Sequence, residues 1–302
     1  MICVCDGGDL SGYSDVLDHE WPFRFTFVSI EQGGPARARN AGLREAVGRV
    51  VAFCEDDVRL DPHWLDIGSA PILADQCDVV DGEVESAHGS LRRGEGRRSQ
   101  PAYLPCNLFV RRELAERAGG YDEGYYDGEV YFREDSDFGF RLESNGARVA
   151  IVPEAVVRHP EQFFDAASIR RHLRRYRMDA LLYQNWPSSY RRSVEQKKIG
   201  PFIVGRPLHS VALLWLCAIL KAAMDIQSRR SSAIGWFAVA FSCGLAVRAR
   251  YRRPVWDGLT RPSEWLRTWL LPMRHLSALV RGARTFGGWG VLVPSLPRRA
   301  GR

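Results

Sequence analysis

Short apolar runs and stretches of helical period alternate along the first half of the chain. Three runs are β-prone and lie next to turn residues, which predicts strands at Ile2–Cys5, Phe25–Ile30 and Arg49–Cys54. Between the last two, residues 35–47 repeat small and apolar side chains at helical spacing. Strand, helix and strand joined by short links are typical of a parallel α/β sheet.

The same alternation continues to about residue 160. Apolar runs predict further strands at Cys77–Val84, Asn107–Val110, Val149–Val152 and Ala155–Val157. Helices are predicted from Pro62, where proline takes the first helical position, and over Arg112–Ala118 and Asp135–Asn145, which both end at glycine. The polar, Gly- and Arg-rich residues 88–101 predict a loop.

Charge divides the chain into two regions. Residues 1–160 hold 29 Asp and Glu against 17 Arg and no Lys, whereas residues 161–302 hold 7 acidic against 25 basic side chains. This asymmetry predicts an α/β domain over 1–160 and a basic, mainly helical region over 161–302. An acidic domain repels phosphates, so nucleic acid is not a predicted partner. The basic half suits an anionic membrane surface instead.

Two apolar stretches in the basic half, Leu208–Leu220 and Ala233–Val247, raise the question of a membrane. Each is shorter than the roughly 20 residues of a spanning helix. Arg229 and Arg230 lie between them and more arginines follow the second, which fits a spanning hairpin poorly. We favour helices that lie in the membrane interface or pack on the domain, with true spans as the alternative. The Pro- and Arg-rich residues 258–302 give no prediction of secondary structure.

Seven scattered cysteines indicate the compartment. No two of them form a Cys-x-x-Cys pair, so neither a zinc site nor a disulfide framework is predicted. A predicted strand follows Met1 at once, and no signal peptide is recognisable. Reduced thiols and the basic half together predict a cytoplasmic protein at the inner face of the cell membrane.

Glu55, Asp56 and Asp57 directly follow the predicted strand Arg49–Cys54. In open α/β sheets, ligands bind at the carboxyl ends of the strands. Three adjacent carboxylates repel one another, and a Mg²⁺ or Mn²⁺ ion shared with a diphosphate would offset that charge. The alternative is a polar turn before the helix that begins at Pro62.

Two further groups are candidates for chemistry. Glu134 and Asp135 precede or begin a predicted helix, where acidic residues either favour the helix N-terminus or present a general base to a pocket. His159 follows a short predicted strand, and it is either a structural histidine or a metal ligand.

In order and spacing, these segments resemble the family 2 glycosyltransferases, which have the GT-A fold. The resemblance covers about residues 2–160 and rests on three blocks: Val4–Asp9; Gly33–Leu43 with Ala46–Gly48, Val51–Asp57 and Asp61–Leu65; and Asn107, Arg111–Arg112, Gly119–Glu123, Glu134–Asp137, Arg141–Leu142, Gly146, Pro153–Ala155 and His159. It implies a Rossmann-like, mostly parallel sheet flanked by helices, and an enzyme that uses a nucleoside-diphosphate sugar with Mn²⁺ or Mg²⁺.

The resemblance also implies roles for residues on the donor side. Asp6 corresponds to the carboxylate that contacts the nucleotide base, and Arg39 to an arginine near the nucleotide and diphosphate. Glu55 and Asp56 hold the first positions of the family's Asp-x-Asp segment. Asn107 is implied to lie near the donor sugar.

On the reaction side, Asp57 matches the metal-binding end of that segment. His159 matches a position that is a further metal or diphosphate ligand in some members. Asp135 matches the catalytic base of inverting members, which deprotonates the acceptor hydroxyl as it attacks the anomeric carbon. Glu134 is implied to orient the acceptor.

The sequence departs from the family at three points. Glu55 and Cys5 replace aspartates, and the family's first strand and helix are absent. Because that strand is normally interior to the sheet, its absence predicts unpaired neighbouring strands. We interpret Met1 as an incomplete or incorrect start, with a truncated, impaired copy as the alternative.

We therefore expect a metal-dependent, inverting glycosyltransferase that moves a sugar to a hydroxyl of a glycan, a lipid-linked glycan or a polysaccharide. Two hypotheses compete with it. One is a catalytically impaired binding or scaffold protein at the membrane, and the other is a structural membrane protein that works through its basic half. The sequence does not identify the donor sugar, its nucleotide, the acceptor or the oligomeric state.

Overall fold

The computed structural model describes the whole chain except residues 9, 87–88, 91–101, 161–165, 196, 200–201, 205, 251–261, 294–297 and 300–302. Most of the loop predicted at 88–101 therefore lies outside the described residues. The chain divides into two compact units, Met1–Gln162 and Phe163–Arg302.

The first unit alternates strands and helices. Its strands are β1 (Ile2–Asp6), β2 (Thr26–Ile30), β3 (Val50–Phe53), β4 (Arg59–Leu60), β5 (Val79–Ser86), β6 (Gly89–Ser90), β7 (Leu108–Arg111) and β8 (Val149–Arg158). Its helices are α1 (Ser14–Leu17), α2 (Pro35–Glu45), α3 (Trp64–Leu73), α4 (Arg112–Arg117) and α5 (Glu134–Ser144). The helix predicted from Pro62 begins two residues later, and the two short strands predicted on either side of Pro153 form one strand, β8.

These strands form two sheets. β1 and β2 pair in parallel as a two-stranded sheet, with Ile2 opposite Thr26 and Asp6 opposite Ile30. The larger sheet has six strands in the order β3-β7-β5-β8-β4, with β6 beside β5. Among the described strands, β1 pairs only with β2 and β3 only with β7, so each has one edge without a strand partner. The loss of an interior strand beside them stays a prediction.

The larger sheet is mixed, which corrects the expectation of a mostly parallel sheet. Only β5 and β8 run parallel in it, whereas its other neighbouring strands are antiparallel. A parallel pair needs a long crossover, which is usually a helix. Helices α4 and α5 lie between β5 and β8. The described residues between β5 and β7 hold only β6 and a 3₁₀ turn at Pro105–Asn107, and β7 returns antiparallel.

The larger sheet buries a core on each face. Leu108 and Val110 belong to one cluster with Phe138 of α5, while Phe109 between them belongs to another with Trp64 of α3. Successive residues of a strand point to opposite faces, which explains this division. Full burial of one such side chain contributes roughly 1.5–3 kcal/mol to stability. The two cores therefore hold the strand ends, and the loops that follow them, in place.

A bulge in β8 shapes one part of the sheet. The pairing register slips between Gly82 and Glu83, so that Pro153–Ala155 have no partner on β5. Proline has no N–H to donate to a strand partner, so it suits a bulge. Nδ2 of Asn107 donates to the carbonyl oxygens of Glu83, at 2.8 Å, and of Ala155, at 2.7 Å. These bonds hold the bulge closed.

The second unit is mainly helical, as the sequence predicts. Its helices are α6 (Ala166–Arg175), α7 (Met178–Asn185), α8 (Pro187–Ser189), α9 (Pro207–Gln227), α10 (Ala233–Arg250), α11 (Pro262–Trp269) and α12 (Leu271–Phe286). Short strands β9 (Lys197–Ile199), β10 (Phe202–Val204) and β11 (Arg298–Arg299) form a small antiparallel sheet. Two helices lie in residues 258–302, for which the sequence yields no prediction, and Pro262 and Pro272 lie at their starts, where proline is tolerated.

Helix α9 is longer than the apolar stretch recognised in the sequence. Residues Leu208–Gln227 are long and apolar enough to cross a membrane, with a mean hydropathy of 1.5 and 33% of the apolar window buried in the protein. The predicted length limit is therefore wrong for this helix. α9 packs against α10 and α12. Core helices of soluble proteins can have the same length and composition. A helix α9 that spans a membrane and a helix α9 that lies on a membrane surface or packs on the protein therefore stay as alternatives.

Candidate active site

Strand pairing brings the acidic segment and His159 together at one end of the larger sheet. β4 pairs antiparallel with β8, and Arg59 lies opposite Arg158. The segment that precedes Arg59 therefore runs beside the segment that follows Arg158, and Asp57 comes close to His159. The N–H of His159 donates to the carbonyl oxygen of Glu85 at 2.8 Å, which fixes the backbone at this point.

Glu55, Asp57 and His159 form a group that fits a divalent cation. Nε2 of His159 lies 3.6 Å from Oε2 of Glu55 and 3.7 Å from Oδ1 of Asp57, and one ligand atom from each residue lies within 4.8 Å of the others. Both distances exceed those of a hydrogen bond. Nδ1 of His159 lies 2.8 Å from the carbonyl oxygen of Pro160. Because a carbonyl oxygen only accepts, Nδ1 is the nitrogen that donates here, and Nε2 faces the two carboxylates.

Arg39 of α2 connects this group to the start of α5. Its Nη2 lies 3.3 Å from Oε1 of Glu55, and its Nη1 donates to Oε1 of Glu134 at 3.0 Å. The guanidinium also lies over the ring of Tyr121, 5.2 Å from the centroid, as in a cation–π contact. The side chains of Arg39 and Glu134 are only 15% and 7% exposed. Arg39 thereby joins carboxylates from two distant segments in a nearly enclosed space.

The crowded carboxylates of the site change one another's titration. Burial raises the pKa of Glu55, and the charges of Asp57 and Asp135 act in the same direction, while Arg39 opposes them. Burial and the charge of Asp135 raise the pKa of Glu134, again against the effect of Arg39. Repulsion of this kind favours binding of a cation, whose charge stabilises the ionised carboxylates. Asp135 directly follows Glu134 in the chain, and Glu134 and Glu55 both contact the guanidinium of Arg39.

Asp135 lies in the first turn of α5. Its Oδ1 accepts hydrogen bonds from the N–H of Ser136 at 2.6 Å and from the Ser136 hydroxyl at 3.1 Å. Arg133, just before the helix, has a left-handed φ of +78°, which is uncommon for a residue other than glycine and turns the chain sharply. The turn leaves Glu134 buried against Arg39 and Asp135 half-buried. The contact of Glu134 with an acceptor stays a prediction.

Asp6, at the end of β1, holds the loop before α2. Its two carboxylate oxygens accept hydrogen bonds from the N–H groups of Gly33, at 2.7 Å, and Gly34, at 2.8 Å. Gly34 has a φ of +85°, and a Cβ there would lie 2.9 Å from the ring of Tyr126, so this position requires glycine. Asp56 is exposed and lies outside the cation-binding group. The contact of Asp6 with a nucleotide base, and that of Asp56 with the donor, stay predictions.

Asn107 has a structural role that the sequence did not indicate. It is fully buried, and its Nδ2 donates the two hydrogen bonds that hold the bulge of β8. Its Oδ1 accepts a hydrogen bond from Nε1 of Trp64 at 2.7 Å. A donor sugar would have to displace one of these bonds, so the geometry gives no support to the implied contact. An asparagine beside a strand has the same sequence pattern whether it faces a pocket or the core.

Tyr121 is a site residue that the sequence reasoning did not single out, although it lies in the matched Gly119–Glu123 block. Its ring stacks on Phe138, with centroids 4.2 Å apart, beneath the guanidinium of Arg39. Its buried hydroxyl has no hydrogen-bond partner among the described residues. Burial strongly raises the pKa of Tyr121.

We expect Tyr121→Phe to keep the free energy of unfolding or raise it by up to about 1–3 kcal/mol, because the change removes an unsatisfied buried polar group. Denaturant unfolding measures this. The matched control is Tyr125→Phe, which we expect to be destabilised because the Tyr125 hydroxyl donates to Asp137 at 3.2 Å. A clear loss of stability in Tyr121→Phe contradicts the prediction, and a loss of nucleotide binding alone assigns the hydroxyl to a ligand.

The first unit is an α/β fold with a mixed sheet that packs against helices on both faces. Residues 2–143 match the sequence family described as glycosyl transferase family 2. The match covers most of the first unit and just under half of the chain.

Curated relatives of this region are also glycosyltransferases or polysaccharide-biosynthesis proteins. The pre-mycofactocin glycosyltransferase of Mycobacterium tuberculosis is 34% identical over 149 residues, which cover 42% of this chain and 30% of that protein. The succinoglycan biosynthesis protein ExoM of Rhizobium meliloti is 26% identical over 160 residues, which cover 48% of this chain and 50% of that protein. The chain thus spans half or less of the length of these two relatives.

Two solved structures are similar over most of the chain. The mannosyltransferase PcManGT of Pyrobaculum calidifontis, solved with GDP-Man and Mn²⁺, has 17% identity and a TM-score of 0.46, and the match covers 92% of this chain and 77% of that chain. TarS of S. aureus, solved with UDP-GlcNAc, has 13% identity and a TM-score of 0.47, with 94% and 81% covered. Neither similarity identifies a substrate for this chain.

Proposed function

We propose that the chain is an active, metal-dependent glycosyltransferase that moves a sugar from a nucleoside diphosphate to a hydroxyl acceptor with inversion. One observation carries the proposal: charged side chains from four separate segments converge at one end of the larger sheet, namely Arg39, Glu55, Asp57, Glu134, Asp135 and His159. Bringing four carboxylates together, one of them buried, costs free energy through mutual repulsion, and a structural role alone does not account for the arrangement. A cation and a diphosphate would offset these charges.

Glu55, Asp57 and His159 are the proposed ligands of the cation. A divalent ion at this position would stabilise the negative charge of the diphosphate. Mg²⁺ binds through oxygen atoms and keeps several waters. Because one imidazole is among the ligands, we favour a transition ion such as Mn²⁺ over Mg²⁺.

Asp135 is the proposed general base. It takes the proton of the acceptor hydroxyl as that oxygen bonds to the anomeric carbon and the bond from that carbon to the diphosphate breaks. Ser136 donates both of its hydrogen bonds to Oδ1, so Oδ2 is the oxygen that we assign to the proton. Glu134 is proposed to position Arg39 and the acceptor.

The donor is proposed to bind along the ends of β1 and α2. Asp6 would contact the nucleotide base, and Arg39 would contact the diphosphate. The acceptor is proposed to be a glycan, a lipid-linked glycan or a polysaccharide, reached at the inner face of the cell membrane. The excess of basic side chains in residues 161–302 supports this location.

An impaired binding module is the second candidate function. The observation that favours it is the break between the two sheets, which leaves an edge of β1 without a described strand partner next to Asp6. An open edge there lowers the rigidity of the proposed nucleotide site. The two candidates differ in one respect, since only the enzyme transfers a sugar.

Nucleotide binding tests the proposal directly. We expect UDP, GDP or dTDP to release or absorb heat on mixing with the full chain and Mn²⁺ in a calorimeter, and the signal to vanish with a chelator. A ligand at about 100 times its Kd should raise the free energy of unfolding by about 2.7 kcal/mol. A folded sample that binds none of the three in the presence of metal contradicts both candidate functions.

A further inference from the structure

An apolar cleft lies between α10 and α11 in the second unit. It encloses about 490 Å³ and is lined by Phe237, Phe241, Trp265, Leu266 and Trp269. All five side chains are aromatic or aliphatic. Clefts of this size hold small molecules in proteins, but those sites also carry a few polar groups that fix the ligand. A wholly apolar lining fits a hydrocarbon chain instead.

A close helix crossing builds this cleft. A Cβ at Gly244 of α10 would lie 2.3 Å from the carbonyl oxygen of Thr268 in α11, so the two backbones touch at this point. Nη1 of Arg248 donates to Oγ1 of Thr268 at 3.3 Å, one turn beyond the crossing. Phe237 and Phe241 lie on the same face of α10 at helical spacing before Gly244. Their rings therefore line the space beside a fixed crossing.

The cleft opens onto the surroundings of the protein. Phe237, Trp265 and Leu266 are 40%, 50% and 63% exposed. The neighbouring helix α9 also exposes large apolar side chains, which include Leu214, Leu216, Leu220, Met224 and Ile226. Only 33% of its apolar window is buried by protein. Exposed apolar side chains in this number, within one small unit, mark a binding surface.

Three exposed arginines lie near the cleft residues along the chain. Arg229 and Arg230 are exposed at the turn between α9 and α10, and Arg267 is exposed next to Leu266 at the cleft. Residues 161–302 carry 25 basic against 7 acidic side chains. An apolar cleft beside cationic side chains matches a lipid with an anionic headgroup. A second copy of the chain fits less well, because a symmetric contact would bring this excess of positive charge against itself.

We propose that the cleft of Phe237, Phe241, Trp265, Leu266 and Trp269 binds an acyl chain of an anionic bilayer and thereby seats the second unit on the membrane surface. The headgroup lies beside the arginines, and the two cleft tryptophans lie at the boundary of headgroup and hydrocarbon, which suits their amphipathic rings. The inference does not depend on sugar transfer, since it concerns lipid binding in the absence of a donor.

The test uses the full chain and vesicles of phosphatidylcholine with or without phosphatidylglycerol. The phosphatidylglycerol carries a photoactivatable group on one acyl chain, and mass spectrometry locates the cross-links. We expect flotation with the anionic vesicles and cross-links on the peptides that hold residues 237–241 and 265–269. Cross-links confined to other parts of the chain, or equal flotation with neutral vesicles, overturn the proposal.

Matched variants distinguish binding in the cleft from non-specific binding of lipid to other exposed apolar side chains. Phe237→Ser with Trp265→Ser should reduce acyl cross-linking at least tenfold, whereas Trp289→Ser should not, although Trp289 is 53% exposed in the same unit. Circular dichroism shows whether the variants are folded. If the double variant unfolds, the positions of the cross-links in the wild type still test the proposal. Loss of a dimer in the double variant, seen by ultracentrifugation without lipid, assigns the cleft to a second copy. Cross-linking that needs no bilayer and is blocked by free polyprenyl phosphate assigns the cleft to a lipid acceptor. The loss of a dimer and the bilayer-independent cross-linking each contradict the proposal that the cleft binds a bilayer.

Discussion

Replacing Asp135 by asparagine is expected to lower kcat by about 10²–10⁴-fold, because the acceptor proton then has no base to take it. The side chains of aspartate and asparagine have nearly the same shape, and both can accept from Ser136. Donor binding should therefore persist, and kcat and kcat/KM should fall together. Initial-rate kinetics with the donor found by the nucleotide screen, combined with calorimetry, measure both quantities.

Asp66→Asn is the matched control for this change. Asp66 lies in the first turn of α3, as Asp135 does in α5, but it is exposed and outside the site. We expect its kcat to stay within about threefold of the wild type, since exposed substitutions away from such features have small effects. Transfer that survives Asp135→Asn contradicts the assignment of the base. Transfer that is measurable in the wild type and lost in Asp135→Asn excludes the impaired binding module.

The second large effect concerns the cation. Asp57→Asn should raise the Kd for Mn²⁺, measured with nucleotide present, by about 100-fold or more, because even partners of metal ligands change affinity by 10–100-fold when they are lost. His159→Gln should act in the same direction. Donor binding and transfer should then fail together, unlike in Asp135→Asn. Electron paramagnetic resonance of free Mn²⁺ measures the affinity.

His63→Gln provides the control for the histidine change. His63 is exposed just before α3 and does not belong to the cation-binding group. Its Mn²⁺ affinity should equal that of the wild type. Unchanged metal affinity in both Asp57→Asn and His159→Gln would overturn the ligand set. Activity that survives chelation in the wild type would overturn metal dependence as a whole.

Local pattern was sufficient to predict the longer elements of the first unit, but not the short α1, β4 and β6. The helix over residues 35–47 is α2, Pro35–Glu45, because its small and apolar spacing and its initial proline act within one segment. Strand direction was not predictable in the same way. β7 runs antiparallel to β5 and β3, and that depends on the course of the chain between them rather than on the residues of β7.

The candidate site shows the same division. The acidic segment and His159 stand out in the sequence because charged residues follow apolar strands. Their proximity depends on the pairing of Arg59 with Arg158, which joins positions 99 residues apart. The structure also groups Glu55, rather than Asp56, with Asp57 and His159, since the turn after β3 decides which carboxylates face the ring. The resemblance to an Asp-x-Asp segment relates Glu55 to Asp57, but it does not place His159 beside them.

The break between the two sheets has a practical consequence for handling the protein. On the sides of β1 and β3 that lack a described strand partner, backbone N–H and C=O groups are left for other extended chains to bind. We therefore expect concentrated solutions to lose monomer slowly as these strands pair between molecules, and light scattering measures this loss. Dilute storage, or an added peptide that pairs with the strands, would slow this loss of monomer.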